Sequence, residues 1–280
     1  MSENGSLICL TFDFDAMCVW PALGLNSPTA LSRGEFGARV AVPRILALLE
    51  REGVTATFYT PGHTVDTYPD LCRRIRDLGH EFGHHGYFHE SPISLEEAEE
   101  RAVLERGLEA FDRALDLKPV GYRSPAWDLS PNTTRLLVEY GFIYDSSMMA
   151  QDYELYRCRV GDVLHRDRAF EFGNEVDLVE VPVSWWLDDF PQFEFIVSPP
   201  VVLSGLGDPE AIQRRWLAEL DFMVEEIPDG VFNVTFHPQV IGRGARLRIL
   251  EALINRAKEH GMRFSTVANA VMQWRAENPL

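Results

Sequence analysis

At 280 residues, 46% of them hydrophobic and 25% charged, the chain is globular and long enough to bury one sizeable core. Its 26 basic against 43 acidic side chains leave a net charge of −17, which argues against nucleic acid and anionic membrane surfaces as main partners. No run of about 18 apolar residues could span a bilayer, and no basic stretch followed by a long apolar run opens the chain, so the expected compartment is the cytoplasm.

Short β-like runs alternate with helical stretches. Residues 7–12 (Leu-Ile-Cys-Leu-Thr-Phe) read as a buried strand. Residues 39–52 read as a helix with Val40, Ile45, Leu46, Leu48 and Leu49 apolar and Gly53 as its stop. A strand over 54–59 closes at Pro61-Gly62, and a helix over 68–78 ends at Gly79. Ser94-Leu95-Glu96-Glu97 resembles a capping box for a helix running to about 115. A strand over 119–122 and a helix over 130–140, stopped by Gly141, follow. Residues 145–210 break the rhythm with Trp185, Trp186, Phe190, Pro191, Phe193 and Phe195. They read as an irregular insertion that either covers an active site or packs the domain. Its apolar surface is a weak pointer to self-association into a homo-oligomer. Regularity returns with helix 211–226, strand 230–236, helix 246–261 and a last helix from Thr266. Repeated β-then-α units predict parallel strands in a barrel or doubly wound sheet, within one domain over 1–280. The cysteines Cys9, Cys18, Cys72 and Cys158 match neither a paired zinc motif nor a dense disulfide framework.

Three strand-end clusters carry chemistry. In Thr11-Phe12-Asp13-Phe14-Asp15 two acids share one side of a strand end, where mutual repulsion favours a cation, a metal or a proton for one of them. Gly83-His84-His85-Gly86-Tyr87-Phe88-His89-Glu90 holds three of the eight histidines. The i, i+4 spacing of His85 and His89 puts two imidazoles on one face if the turn is helical, a pair suited to a metal. His84 is off that register and reads as structural. Finally, His237 ends the strand-like run Val231-Phe232-Asn233-Val234-Thr235-Phe236 just before Pro238. At the C-terminal mouth of a barrel all three clusters would meet.

Over roughly residues 7–272 the chain resembles the polysaccharide deacetylase, or NodB-homology, family of carbon–nitrogen hydrolases. The likeness runs, in order, through Thr11-Phe12-Asp13-Phe14-Asp15, His85-Gly86-Tyr87-Phe88-His89, Arg123-Ser124-Pro125-Ala126-Trp127, Trp185-Trp186-Leu187-Asp188-Asp189 and Phe236-His237-Pro238. It implies a single-domain distorted (β/α) barrel of the α/β class. Two departures stand out: Phe14 separates the aspartates, which are adjacent in the common family pattern, and Gly86 replaces a small hydroxyl residue. Both are similar to a subgroup of cytoplasmic cyclic imide hydrolases and a peptidoglycan-deacetylase-like protein, as are residues 31–37 and 121–128.

The resemblance implies roles. Asp15, His85 and His89 would hold one divalent metal, zinc foremost, with cobalt, manganese or iron as alternatives. Asp13 would be the general base, oriented by Arg123. His237 would be the acid for the leaving nitrogen, partnered by Asp188 or Asp189. Trp127, Trp185 and Trp186 would contact substrate. The expected substrate is a small cyclic imide or amide. The alternatives are an N-acetylglucosamine-containing glycan and a catalytically silent metal-binding protein.

Overall fold

In the computed structural model, which describes residues 5–198 and 201–280, eleven strands are assigned. They are β1 (Leu7–Asp13), β2 (Thr57–Thr60), β3 (Glu81–His84), β4 (Gly121–Tyr122), β5 (Tyr144–Asp145), β6 (Tyr156–Val160), β7 (Asn174–Glu180), β8 (Ile196–Ser198), β9 (Val201–Leu203), β10 (Val231–Phe236) and β11 (Arg263–Phe264). The main sheet runs β10-β1-β2-β3-β4-β5-β7-β6, with β11 also on β1. All its pairings are parallel except β6 with β7.

Strand β1 is buried along its whole length, as a parallel strand covered on both faces must be. Ile8, Leu10 and Phe12 join a large apolar cluster with Ile45, Leu46 and Leu49 of helix Val42–Glu52 and Leu250, Leu253 and Ile254 of helix Leu247–Glu259. Leu7 and Cys9 face a second cluster with Tyr59, Tyr144, Val179 and Val267 and Val271 of the last helix. The four cysteines are buried and free.

The sheet curls into an α/β half-barrel, and its ends meet through single links instead of a continuous ladder. An isolated parallel bridge joins Asp188 to Thr235, and Asn233 Nδ2 donates to Pro182 O at 2.8 Å. The barrel expectation holds in this opened form. Asp13, His84, Asp145, Glu180 and Phe236 all stand at the C-terminal ends of their strands, so the loops that follow share one mouth.

Several local expectations need correction. The helix expected over 39–52 is preceded by helix Pro28–Phe36 and a π-helical turn, Gly37–Ala41. The capping box uses Glu96 as the cap and Glu99 as its partner, not Ser94 and Glu97. The 145–210 stretch, whose residues 199–200 lie outside the described ones, contains two antiparallel pairs, β6 with β7 and β8 with β9. The charged alternation of Tyr-Arg-Cys-Arg-Val and Asn-Glu-Val-Asp-Leu-Val-Glu hides strands that are half exposed.

Candidate active site and metal centre

The mouth is assembled from strand ends. Beyond β3 the chain turns sharply: Gly86 has φ 71° and His89 φ 62°. This turn is not helical, so the expected i, i+4 helical face is wrong. The turn nonetheless brings the imidazoles of His85 and His89 to a centroid distance of 5.2 Å. Both ring nitrogens of His84 are taken up by backbone, Nε2 with Leu104 O at 3.2 Å and Nδ1 with Gly86 N at 3.2 Å. His84 thus fixes the turn and offers no free nitrogen to the mouth.

His85 Nδ1 donates to Arg123 O at 2.7 Å, which leaves the lone pair of Nε2 pointing inward. That Nε2 lies 3.5 Å from Asp15 Oδ1, and His89 Nε2 lies 3.9 Å from the same oxygen. Burial depresses His85 to about 4 and His89 to about 3, so both rings are neutral. Burial also raises Asp15 to about 8. Asp15 is fully buried, and neither of its oxygens has a hydrogen-bond partner among the described residues. A buried carboxylate left bare costs several kcal/mol unless a cation compensates it. One carboxylate oxygen and two neutral imidazole nitrogens fit a divalent metal with open positions.

Asp13 is held differently. Arg123 Nη1 donates to its Oδ1 at 2.8 Å and to Thr11 Oγ1 at 2.9 Å. The guanidinium is itself buried, anchored on Ser146 O and Oγ at 3.0 and 2.9 Å, with its carbon 4.0 Å from the Tyr59 ring centre. Burial alone would raise the Asp13 pKa, but Arg123, His85 and His237 together hold it below the ordinary carboxylate value. Two aspartates two residues apart therefore have opposite character: Asp13 is ionised and paired, Asp15 is unpaired.

His237 faces them. Its Nε2 is 3.9 Å from both Asp13 Oδ2 and Asp15 Oδ2, and its Nδ1 is 2.9 Å from Asp189 Oδ1 and 3.3 Å from Asp188 Oδ1. Burial would depress this imidazole, but the two carboxylates raise it well above its usual value. Asp188 also accepts from Phe190 N as the cap of helix Asp189–Phe193, which leaves Asp189 as the closer ring partner.

A cavity of about 400 Å³ opens over this floor, lined by Asp13, His85, His89, Asp188 and His237 below and by Val19, Leu23, Ala126, Trp127, Trp185, Phe190, Pro191 and Leu203 around it. Trp127 stacks on Trp185 with centroids 4.3 Å apart. Trp186 does not line the cavity: its ring carries Arg215 at 4.5 Å and its carbonyl accepts from Trp216 Nε1. Val19 and Leu23, the first residue and the C-cap of the short helix Val19–Ala22 after β1, were not anticipated; nothing in their spacing marks them as pocket walls. Four of the seven non-glycine residues with positive φ among the described residues surround this mouth: Ala16 at 50°, His89 at 62°, Ala126 at 56° and Trp127 at 53°. Such strain collects where side chains are held for a purpose.

The polysaccharide deacetylase family model matches residues 2–144. A peptidoglycan deacetylase of Helicobacter pylori is 35% identical over 98% of this chain and 97% of its own length. The chain belongs to the polysaccharide deacetylase family. As a member it is a hydrolase acting on carbon–nitrogen bonds other than peptide bonds. A crystal structure of a Mycobacterium smegmatis protein assigned to the polysaccharide deacetylases superposes with TM-score 0.85 at 33% identity, covering 99% of this chain and 92% of that one. The Puue allantoinase structure has TM-score 0.80 at 19% identity, over 98% and 91%, and shares the fold.

Proposed function

We propose that this family member opens a carbon–nitrogen bond in a small cyclic imide or amide, with one divalent metal, zinc foremost, held by Asp15, His85 and His89. The observation that carries the substrate reading is the cavity: about 400 Å³, with eight wall residues that offer apolar or aromatic surface and polar groups confined to the floor. A flat ring fits between Trp127 and the walls of Val19, Leu23 and Phe190. A glycan needs hydroxyl-binding partners along a groove, and among the wall side chains only the indole N–H groups of Trp127 and Trp185 could serve. The same features support a place beside the cyclic imide hydrolase subgroup.

When bound, the metal polarises a carbonyl oxygen and acidifies a water. The chain's own groups do the rest in this reading. Asp13, ionised and fixed by Arg123, takes the proton of the attacking water. His237, kept protonated by Asp189, gives a proton to the departing nitrogen at Nε2. Trp127 and Trp185 hold the ring and exclude bulk water, which strengthens each polar contact on the floor. The chain is read as one domain over 1–280 that acts in the cytoplasm. No helix among the described residues is long and apolar enough to cross a membrane.

A second reading, release of acetate from an N-acetylated glycan, is favoured by the name of the 35%-identical Helicobacter pylori relative. A panel of succinimide-like and hydantoin-like rings beside chitooligosaccharides, at identical metal loading, separates the two. Ring opening without acetate release is the expected result. Robust acetate release with no ring opening replaces the first reading by the second.

A further inference from the structure

Helix Gly62–Thr67 follows β2, and the sheet order puts β2 between β1 and β3. The helix therefore stands between the segment that carries Asp15 and the turn that carries His85 and His89. It takes no part in the chemistry above, yet three consecutive residues at its start reach both. The first N–H groups of a helix have no partner within it. Here Gly62 N donates to Gly86 O at 3.1 Å and His63 N to Tyr87 O at 2.8 Å, both carbonyls inside the His85–His89 turn. A Cβ on Gly62 would lie 2.7 Å from Tyr87 Cδ2 and 3.0 Å from Gly107 Cα, so a glycine is what lets the turn come this close. Side chains add to the grip: Tyr87 Oη donates to Asp66 Oδ2 at 3.2 Å, and the Phe88 ring meets the His63 ring at 4.8 Å.

The next residue reaches the other ligand. Thr64 Oγ1 donates to Asp15 O at 2.8 Å, and Cys18 N donates to the same carbonyl at 3.1 Å. Thr64 is buried, so bulk water does not compete for this bond. Asp15 needs such a hold because β1 ends at Asp13 and the backbone swings into positive φ at Ala16, 50°. Residues 31–37, singled out in the sequence, close this region from behind: a Cβ on Gly34 would lie 2.2 Å from Ala16 O, and one on Gly37 3.2 Å from Gln239 Cβ, two residues past His237. Packing of that kind stops the segment from retreating, whereas a directional hydrogen bond sets its orientation.

We infer that Gly62-His63-Thr64 is a brace that sets the spacing of the metal ligands, with Thr64 the positioning residue for Asp15. This rests on the metal reading of Asp15, His85 and His89. A metal accepts its ligands only within a narrow range of distance, about 2.0–2.2 Å for nitrogen and oxygen on zinc. Two backbone bonds hold the histidine turn and one hydroxyl holds the Asp15 backbone, all from the same three residues. The separation of the two ligand groups is thus fixed through the protein, before an ion arrives. Removing a group that orients a ligand from behind costs about 10–100-fold in metal affinity.

The test uses the full chain and zinc alone. Thr64→Val keeps the shape of the side chain and removes the donor, while Cys18 N still satisfies Asp15 O. Zinc affinity, read by competition with a chromophoric chelator, should fall about 10–100-fold, with the thermal midpoint of the metal-free protein within about 4 °C of wild type. The visible spectrum of the cobalt-loaded variant should change, which a merely structural role would not produce. Thr64→Ser, which restores the hydroxyl, should match wild type in both readings. Unchanged zinc affinity and cobalt spectrum in folded Thr64→Val, or a loss that Thr64→Ser shares, overturns the proposal and leaves the metal site standing. Where Thr64→Val does not fold, Gly62→Ala decides: it pushes the histidine turn off the brace and should weaken zinc in the same direction, and unchanged affinity overturns the proposal. A wild-type chain that binds no zinc overturns the metal reading and the brace with it.

Discussion

Asp189 Oδ1 accepts two hydrogen bonds from His237, one from the backbone N–H and one from ring Nδ1, both at 2.9 Å. The double contact fixes the position of the ring and holds its Nδ1 proton, leaving Nε2 toward Asp13 and Asp15. Asp188 approaches the same nitrogen at 3.3 Å but spends an oxygen on Phe190 N. Asp189→Asn should therefore lower kcat on the order of 10²-fold, while Asp188→Asn has a smaller effect on kcat and shows mainly as lost stability. Steady-state rates and thermal midpoints of both variants check this; an equal kcat loss in the two would place the role on both acids.

The contrast between Asp13 and Asp15 leads to a second expectation. Asp13→Asn should keep the metal and lose about 10²–10⁴-fold in turnover, because its carboxylate is paired to Arg123 and free to take a proton. Asp15→Asn should lose metal affinity. Metal titration of both variants decides, and the opposite pattern exchanges their roles.

These two aspartates were legible in the sequence as a pair of acids at the end of an apolar strand, although β1 stops at Asp13 and Asp15 is carried by the segment that follows and not by strand alternation. The histidines were legible by type and density but not by geometry: their approach depends on positive φ at Gly86 and His89, and spacing alone suggested a helix. Gly37 and Gln239 were opaque because their contact spans some 200 residues of chain. The pairing of β6 with β7 was missed for a related reason, since β6 at the sheet edge and β7 beside it carry charged faces and lack the apolar run that marked β1 and β10.

The cavity wall supplies a third prediction. Trp185 stacks on Trp127 beside the floor, whereas Trp186 points to Arg215. Trp185→Ala should raise KM on the order of tenfold with a smaller change in kcat, and Trp186→Ala should leave KM near wild type. Kinetics on the best ring substrate read this out; the reverse order would move the wall to Trp186.

A fourth concerns stability. Asp145 and Glu180 are paired in register on β5 and β7 and fully buried. Burial raises Asp145 to about 6 and Glu180 well above its usual value. A raised carboxyl pKa means the folded state holds more protons than the unfolded chain. The stability from this pair is therefore full below the unfolded pKa and is lost as pH rises through the folded one. Glu180→Gln removes one titration, so its stability relative to wild type should improve steadily between about pH 5 and pH 8. Urea midpoints across that range test the sign, and a constant difference would contradict it.

The central claim is the metal centre of Asp15, His85 and His89, and elemental analysis tests it most directly. Purified wild-type protein should carry about one divalent ion per chain, and folded His85→Ala should carry almost none, with turnover lost in parallel. Equal metal content in wild type and His85→Ala would contradict the assignment.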